Sequence, residues 1–228
     1  MKAHQTSQKW IAGLIAAIAL AWPALSHGAV LISGPTITAG NTYGYGYGNV
    51  FSGLYTGATT LGTTFTVGSQ DLLVTSLGIW NPTSISRPAL TTAHDVGLWN
   101  STGTTLLGSV SIPAGGGTSV GNFLYVTLGS SVTLTANQTY RLGAVYFVDA
   151  QNIVDYSPSQ AGNFSSDVSN PLASYAVGGT LAAPINTVGP GSYVGANLQY
   201  TAVPEPSTWA LLAFSLTSVM VLRRRRRA

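Results

Sequence analysis

Apolar and polar side chains alternate with a period of two through the middle of this chain, from Gly62 to Thr201. Segments 104–112 and 193–201 follow this pattern, and segment 138–150 shows it most clearly. There, one side of an extended chain would carry Tyr140, Leu142, Ala144, Tyr146 and Val148. Half-buried β-strands have this period, whereas the apolar face of a helix repeats about every 3.6 residues. The sequence therefore predicts an all-β domain at residues 62–202.

The other strand candidates are short and are separated by turn-forming residues. They are segments 63–67, 72–80, 94–99 and 122–128, and the connections read NSTG, PAGGG and TAN. About six to nine strands at this spacing favour a single antiparallel β-sandwich with a jelly-roll-like arrangement. The chain has no cysteine, so packing and backbone pairing rather than disulfides must stabilise the domain.

The middle of the chain carries few charges, and most of them are negative. Between Val30 and Val203 there are two arginines and five aspartates, which give a net charge of −3. A protein that binds nucleic acid needs clustered lysines and arginines to neutralise phosphates. We therefore expect no nucleic-acid partner.

The first 29 residues have the three-part layout of a secretory signal peptide. Lys2 and Lys9 precede an apolar stretch, Trp10–Leu25, and small residues follow at Ser26, Gly28 and Ala29. We predict a signal helix within residues 1–29, with an uncleaved N-terminal anchor as the alternative.

A second apolar run, Ser207–Leu222, ends directly at a cluster of five arginines, Arg223, Arg224, Arg225, Arg226 and Arg227. As a helix this run would be about 24 Å long, slightly short of a bilayer's hydrocarbon core. Arginines beside a membrane helix stay on the cytoplasmic side. We predict that the C-terminal tail, residues 203–228, anchors the precursor through a transmembrane helix.

Pro204, Glu205 and Pro206 stand immediately before this apolar run. A Pro-Glu-Pro motif, an apolar helix and a terminal arginine cluster, in this order, closely resemble the PEP-CTERM sorting signal of Gram-negative bacteria. In that family the tail is read, and is thought to be removed, by exosortase, a membrane-embedded cysteine transpeptidase. The resemblance implies that the Pro-Glu-Pro is the sorting motif and the arginines are the retention signal. It also implies export through the inner membrane, followed by delivery to the cell surface or the extracellular space.

Two short motifs lie within the predicted domain, Gly97-Leu98-Trp99 and a set formed by Leu134, Asn137, Thr139 and Tyr140. The segments that contain them, 95–110 and 124–146, resemble a β-sandwich domain of unknown function that is common in exported bacterial surface proteins. The resemblance implies the sandwich fold. It implies no activity, because the activity of that family is unsettled.

Residues 117–121 match the G-x-S-x-G motif of hydrolases around Ser119. That motif requires a strand, a sharp turn and a helix, with a histidine later in the chain. Here a strand candidate follows, and the one histidine outside the N-terminal segment, His94, comes before the serine. We therefore predict no catalytic residues and no enzyme activity. We expect His94 to be a surface residue, with Asp95 on the opposite face of its strand.

Tyr43, Tyr45 and Tyr47 alternate with glycine in a Gly/Tyr-rich lead-in, residues 30–61. In an extended chain these rings share a side and could stack on sugar rings, so they are candidate ligand-binding residues. The alternative is an N-terminal strand of the mature protein or a flexible low-complexity lead-in, with the rings on the surface of the sandwich. A polar stretch with Asp149, Asn152, Asp155 and Asp167 could hold calcium or simply be solvated. We assign no metal site and no cofactor.

The sequence thus predicts an exported, exosortase-sorted protein of the cell surface or extracellular matrix, non-enzymatic and associated with exopolysaccharide or biofilm. The expected partners are exosortase, the membrane before processing, and extracellular polysaccharide. The alternative is a carbohydrate-binding module on the same sandwich, with or without calcium. A secreted hydrolase comes third, because carboxylates for paired acid/base catalysis are few.

Overall fold

The computed structural model describes residues 28–33, 59–81, 83, 89–146, 156–157, 164–190, 192–193 and 195–203. These residues form thirteen β-strands, and no α-helix occurs within them. The predicted all-β class is confirmed. The signal helix and the transmembrane helix fall outside the described residues.

Two antiparallel sheets form the body. Sheet A contains, in spatial order, β1 (Ala29–Val30), β13 (Ala196–Val203), β3 (Asp71–Trp80), β7 (Phe123–Leu134) and β6 (Thr118–Val120). Sheet B contains, in spatial order, β11 (Asn186–Pro190), β10 (Val168–Val177), β2 (Thr59–Val67), β8 (Thr139–Tyr146), β4 (His94–Asn100) and β5 (Leu106–Ile112). A short separate pairing joins β9 (Tyr156–Ser157) to β12 (Ser192–Tyr193).

The two sheets pack face to face, because each presents one apolar side of the period-two pattern to the other. A single cluster of buried residues spans both sheets and includes Leu72, Leu77, Leu198, Phe65, Leu98 and Leu142. In β8 the predicted inward set is buried from Tyr140 to Tyr146, and Val148 lies outside the described residues. The predicted antiparallel β-sandwich is therefore confirmed.

β10 is a strand that the sequence pattern did not predict. Its Asn170-Pro171 pair is typical of a turn, but here it forms an irregularity in the pairing with β2, between Ser169 and Leu172. Asn170 adopts a left-handed backbone with φ of 51°. Proline is tolerated at such a bulge because the ladder hydrogen bond that it cannot donate is already absent there.

The sandwich also uses residues that the sequence placed in the lead-in. β2 begins at Thr59 rather than at Gly62, and β1 pairs with β13 at the edge of sheet A. Leu31 and Ile32, which follow β1, are fully buried in the core. The two ends of segment 30–61 are thus part of the domain.

A row of three glycines crosses the outer face of sheet B. Gly97, Gly143 and Gly62 are neighbours in register on β4, β8 and β2. A Cβ on Gly62 would collide with the backbone carbonyl of Leu142. The close approach of β2 and β8 therefore requires glycine at this position.

A strap, residues 178–185, passes over this glycine row. Within it the Ala182 amide donates to Thr60 Oγ1 at 3.2 Å, and the Pro184 carbonyl accepts from Arg141 Nη1 at 2.8 Å. These bonds tie the strap to β2 and β8. Part of the outer face of sheet B is consequently covered by the chain itself.

The contacts around each glycine predict which of them can be replaced by alanine without loss of stability. Gly62→Ala should destabilise the folded chain by about 3 kcal/mol or more, since no flexible side chain can move aside for the new Cβ. Gly129→Ala is the matched control, because it lies in a strand and a Cβ there meets no atom within 4 Å. Urea unfolding followed by tryptophan fluorescence measures both. Equal unfolding midpoints for the two variants would contradict the close approach.

Candidate functional site

Both ends of the described chain leave the sandwich at the same end of sheet A. Ala29 pairs with Tyr200 in the antiparallel β1–β13 ladder, and Val203 pairs with Asp71 at the start of β3. Because β1 and β13 run in opposite directions, the chain before Gly28 and the chain after Val203 depart on one side. We call this surface the exit pole and define it as Gly28 and residues 68–71, 135–138, 165–167 and 201–203.

Two connections between the sheets meet at the exit pole and are bonded to each other. In the connection between β2 and β3, the carbonyls of Val67 and Gly68 both accept a hydrogen bond from the Asn137 amide, at 3.1 Å and 2.9 Å. Asp71 Oδ1 accepts the Ala136 amide at 2.7 Å. Asn137 has a φ of 60°, a left-handed conformation that asparagine tolerates better than most residues. These backbone and side-chain bonds therefore hold the two connections together at the pole.

Tyr200 joins β13 to the segment that precedes β10. Its ring is fully buried, and its hydroxyl donates to Asp167 Oδ2 at 2.8 Å and lies 2.6 Å from Ser165 Oγ. Burial raises the pKa of Tyr200 to about 12, so the hydroxyl stays protonated and remains a donor at neutral pH. The last strand before the tail is thus fixed at its middle.

Asn197 holds the N-terminal strand in place. Its side chain is fully buried; Oδ1 accepts the Ile32 amide at 3.0 Å, and Nδ2 donates to the Ile32 carbonyl at 2.7 Å. Oδ1 also accepts the Leu198 amide at 2.9 Å. The pairing of β1 with β13 thus continues beyond Val30, first through the Leu31 amide, which donates to the Leu198 carbonyl at 3.0 Å, and then through the Asn197 side chain.

The solvent-facing part of the exit pole is polar and carries no cation. Its exposed residues are Ser69, Gln70, Thr135, Asn137, Gln138 and Ser166, besides Gly28 and Val203. Its charged side chains are Asp71 and Asp167, both half-buried. The surface from which the tail departs is therefore weakly acidic.

Most of the predicted site residues lie outside the described residues. These are the sorting motif Pro204, Glu205 and Pro206, the arginines 223–227, and the tyrosines 43, 45 and 47. Three members of the polar stretch, at 149, 152 and 155, lie outside as well, while Asp167 belongs to the exit pole. The roles given to the unplaced residues stay predictions.

Ser119 lies in β6, an exposed edge strand paired with β7. Leu124 is its register partner, and a two-residue turn at 121–122 joins the strands. A hairpin of this kind lacks the strand–turn–helix arrangement in which a nucleophilic serine is held. The serine therefore has the local structure of an ordinary hairpin residue.

The expectation that His94 lies at the surface is wrong. The residue does begin a strand, but its ring is 1% exposed, on the inner face of sheet B. Nδ1 lies 2.8 Å from the Val145 carbonyl oxygen, to which it donates, and the ring centre is 5.7 Å from that of Tyr146. Asp95 is exposed on the other face, as expected. A hydrogen bond to a backbone carbonyl is what permits this polar ring to be buried.

Two further classes of site are absent from the part of the chain that the structure describes. Within it, His, Cys, Asp and Glu side chains form no group of three or more that could bind a metal ion. Within it, too, no helix is long and apolar enough to span a membrane.

The tail carries a recognisable sorting motif. The family model of the PEP-CTERM protein-sorting motif matches residues 202–227, so the predicted motif is confirmed. It implies an exported chain whose C-terminal tail is processed by exosortase. The match begins inside β13, since Ala202 and Val203 pair with Leu72 and Asp71. No curated protein shows a significant match to the chain.

Sequence reasoning missed the role of Asn197. The alternation placed it on the polar side of its strand, where an amide is ordinarily solvated. The available signal was a short apolar stretch, residues 30–32, directly after the predicted signal peptide. Such a stretch can form an edge strand, and the backbone amides and carbonyls of a buried edge strand need hydrogen-bond partners.

The Asn197 contacts predict a specific loss of stability. Asn197→Ala should lower the free energy of unfolding by about 3 kcal/mol, because the Ile32 amide and carbonyl would stay buried without partners. Gln199→Ala is the control on the same strand, and we expect a change below about 1 kcal/mol. Urea unfolding gives both values. Limited proteolysis should also cut the Asn197→Ala variant first near residues 28–33. Equal unfolding free energies and equal cleavage patterns for the two variants would argue against the role of Asn197 in holding Ile32.

Proposed function

We propose that this chain is a non-enzymatic protein of the cell surface or extracellular matrix, where it associates with exopolysaccharide. Export and processing by exosortase are implied by the sorting motif at residues 202–227. The proposal adds the destination, the partner and the absence of catalysis.

The observation that carries the proposal is the position of the sorting motif relative to the fold. Its first two residues belong to β13, the last strand of the sandwich, and the rest of the motif begins at Pro204, directly after that strand. A tail placed in this way can be removed without taking any core residue with it. The body would therefore remain folded after processing and act as the mature protein.

The local structure of the two chemically reactive candidates supports a non-enzymatic role. Ser119 is a hairpin residue, and Nδ1 of His94 donates a hydrogen bond to the Val145 carbonyl. Catalysis by a serine requires a base within hydrogen-bonding distance of its hydroxyl. The two residues lie on different sheets, and His94 points into the core.

The exposed surface supports association with a hydrated polysaccharide. Exposed hydroxyl groups lie on both outer faces of the sandwich. β5 carries Ser109 and Ser111 on the outer face of sheet B, and β7 carries Thr133 on the outer face of sheet A, with Ser130 and Ser131 also exposed. Uncharged hydroxyls both donate and accept hydrogen bonds, as sugar hydroxyls do. A surface of this composition contacts glycans without a strong dependence on salt.

The sorting part of the proposal is tested by two changes in the tail. Glu205→Ala should leave an unprocessed form held in the membrane, since the carboxylate between two prolines is the expected recognition point. Deletion of Arg223–Arg227 should instead weaken retention, because each arginine opposes passage through the bilayer core by a few kcal/mol. Fractionation and immunoblotting in the native host distinguish the two outcomes.

Ser207→Ala is the matched control for these changes, since it lies beside the Pro-Glu-Pro and removes no charge. It should be processed like the wild type. Unchanged processing and location of both test variants would contradict the assigned residue roles.

The polysaccharide part is tested with the mature protein from the native host. We expect it to sediment with extracellular polysaccharide and to stay in the supernatant when the host makes none. The binding should change little between low and physiological salt, because the exposed hydroxyl surface is uncharged. A mature protein that never sediments with polysaccharide, or that does so only at low salt, would overturn this part of the proposal.

A further inference from the structure

The distance between the folded body and the sorting motif is very short. β13 stays paired up to Val203, whose register partner is Asp71, and Pro204 is the next residue. An extended chain advances about 3.3 Å per residue, so Glu205 lies within about 7 Å of the end of the strand. Two prolines around the glutamate keep this connection stiff.

A membrane enzyme is many times larger than this distance. Any protein that encloses Glu205 must therefore touch the surface from which the tail departs, as long as β13 remains paired. We propose that the exit pole is a docking surface for exosortase, and that the enzyme meets it with hydrogen-bonding or basic groups. The inference rests on the proposed sorting function and extends it to residues of the body.

The charge of the exit pole favours a protein partner over the lipid surface. The pole carries Asp71 and Asp167 and no lysine or arginine, and its exposed side chains are mostly amides and hydroxyls. Anionic lipid headgroups attract basic segments and repel carboxylates. The arginines of the tail do not change this balance, since they are expected on the other side of the membrane.

The position of the N-terminal strand supports an orientation of the body in which the exit pole faces the membrane. Gly28 leaves the sandwich at the exit pole, beside the last residues of β13. A signal peptide and a sorting tail that are both held in one membrane would then leave the same face of the body. This arrangement would turn the pole toward the membrane.

The test adds positive charge to the pole in the full-length chain and follows processing in the native host by pulse–chase. The near-pole variant is Gln70→Lys, Gln138→Lys and Ser166→Lys. The far-pole control, at the opposite end of the strands, is Thr92→Lys, Thr118→Lys and Ser119→Lys. All six residues are exposed, and both variants add the same charge. We expect the near-pole variant to be processed about tenfold more slowly and the control at the wild-type rate.

A flexible insertion separates contact with the pole from other effects. With about ten glycine and serine residues between Val203 and Pro204, the enzyme can reach the motif without touching the body. The near-pole lysines should then have no effect beyond that of the insertion alone. Limited proteolysis of each precursor shows that its body is folded.

Three results would overturn the inference. In the first, the near-pole variant is processed at the wild-type rate. In the second, the near-pole lysines slow processing as much in the chain with the insertion as in the chain without it; in the third, they speed processing and increase membrane association. The last would assign the pole to anionic lipid. In each case Glu205→Ala still reports on the sorting function, because its block of processing does not depend on the pole.

Discussion

The pairing of β13 with strands on both sides is the interaction on which the rest of the sandwich depends. On one side it pairs with β3 along its whole length, and on the other it holds β1 and, through Asn197, Ile32. Leu31 and Ile32, which lie along this edge, are fully buried. The strand that leads into the tail is therefore the same strand that completes the core. Sorting and folding share one element.

The outer faces of both sheets explain how a chain with only 7% charged residues forms a folded body. On sheet B, Thr60 and Ser174 are fully buried beneath or beside the strap, and their neighbours are glycines. On sheet A the Tyr125 ring lies across Gly78, its partner in register, and a Cβ on Gly78 would come within 2.5 Å of that ring. Threonine, serine and glycine let the chain cover its own sheets closely. Charged side chains would need solvent at those positions, so their scarcity follows from the packing.

Much of the fold was predictable because alternation reports burial directly. β8 matches its predicted inward residues from Tyr140 to Tyr146, and the hairpin of β4 with β5 matches the predicted turn. β10 was missed because Asn170-Pro171 is typical of a turn, and only the neighbouring strands show that it is a bulge. His94 was placed at the surface since a polar residue at a strand end is ordinarily solvated. Its burial depends on a carbonyl fifty-one residues away, at Val145, and no local pattern contains that information. The sorting motif was found because it is contiguous, whereas the exit pole combines five separated parts of the chain.

The contact between Ile32 and Asn197 sets an order of events during export. The two residues are separated by 165 positions, so in a chain that is exported unfolded they could meet only after nearly all of the body had crossed the membrane. Contacts of this span form late, because a long loop must close before they stabilise anything. β13 ends at Val203, and the motif continues at once with Pro204. In such a chain, sheet A would close only after residues 196–203 had emerged. Before that closure the enzyme would meet an unpaired segment in place of β13 and a formed exit pole. An enzyme that contacts the pole would in this way act on folded precursors before unfolded ones.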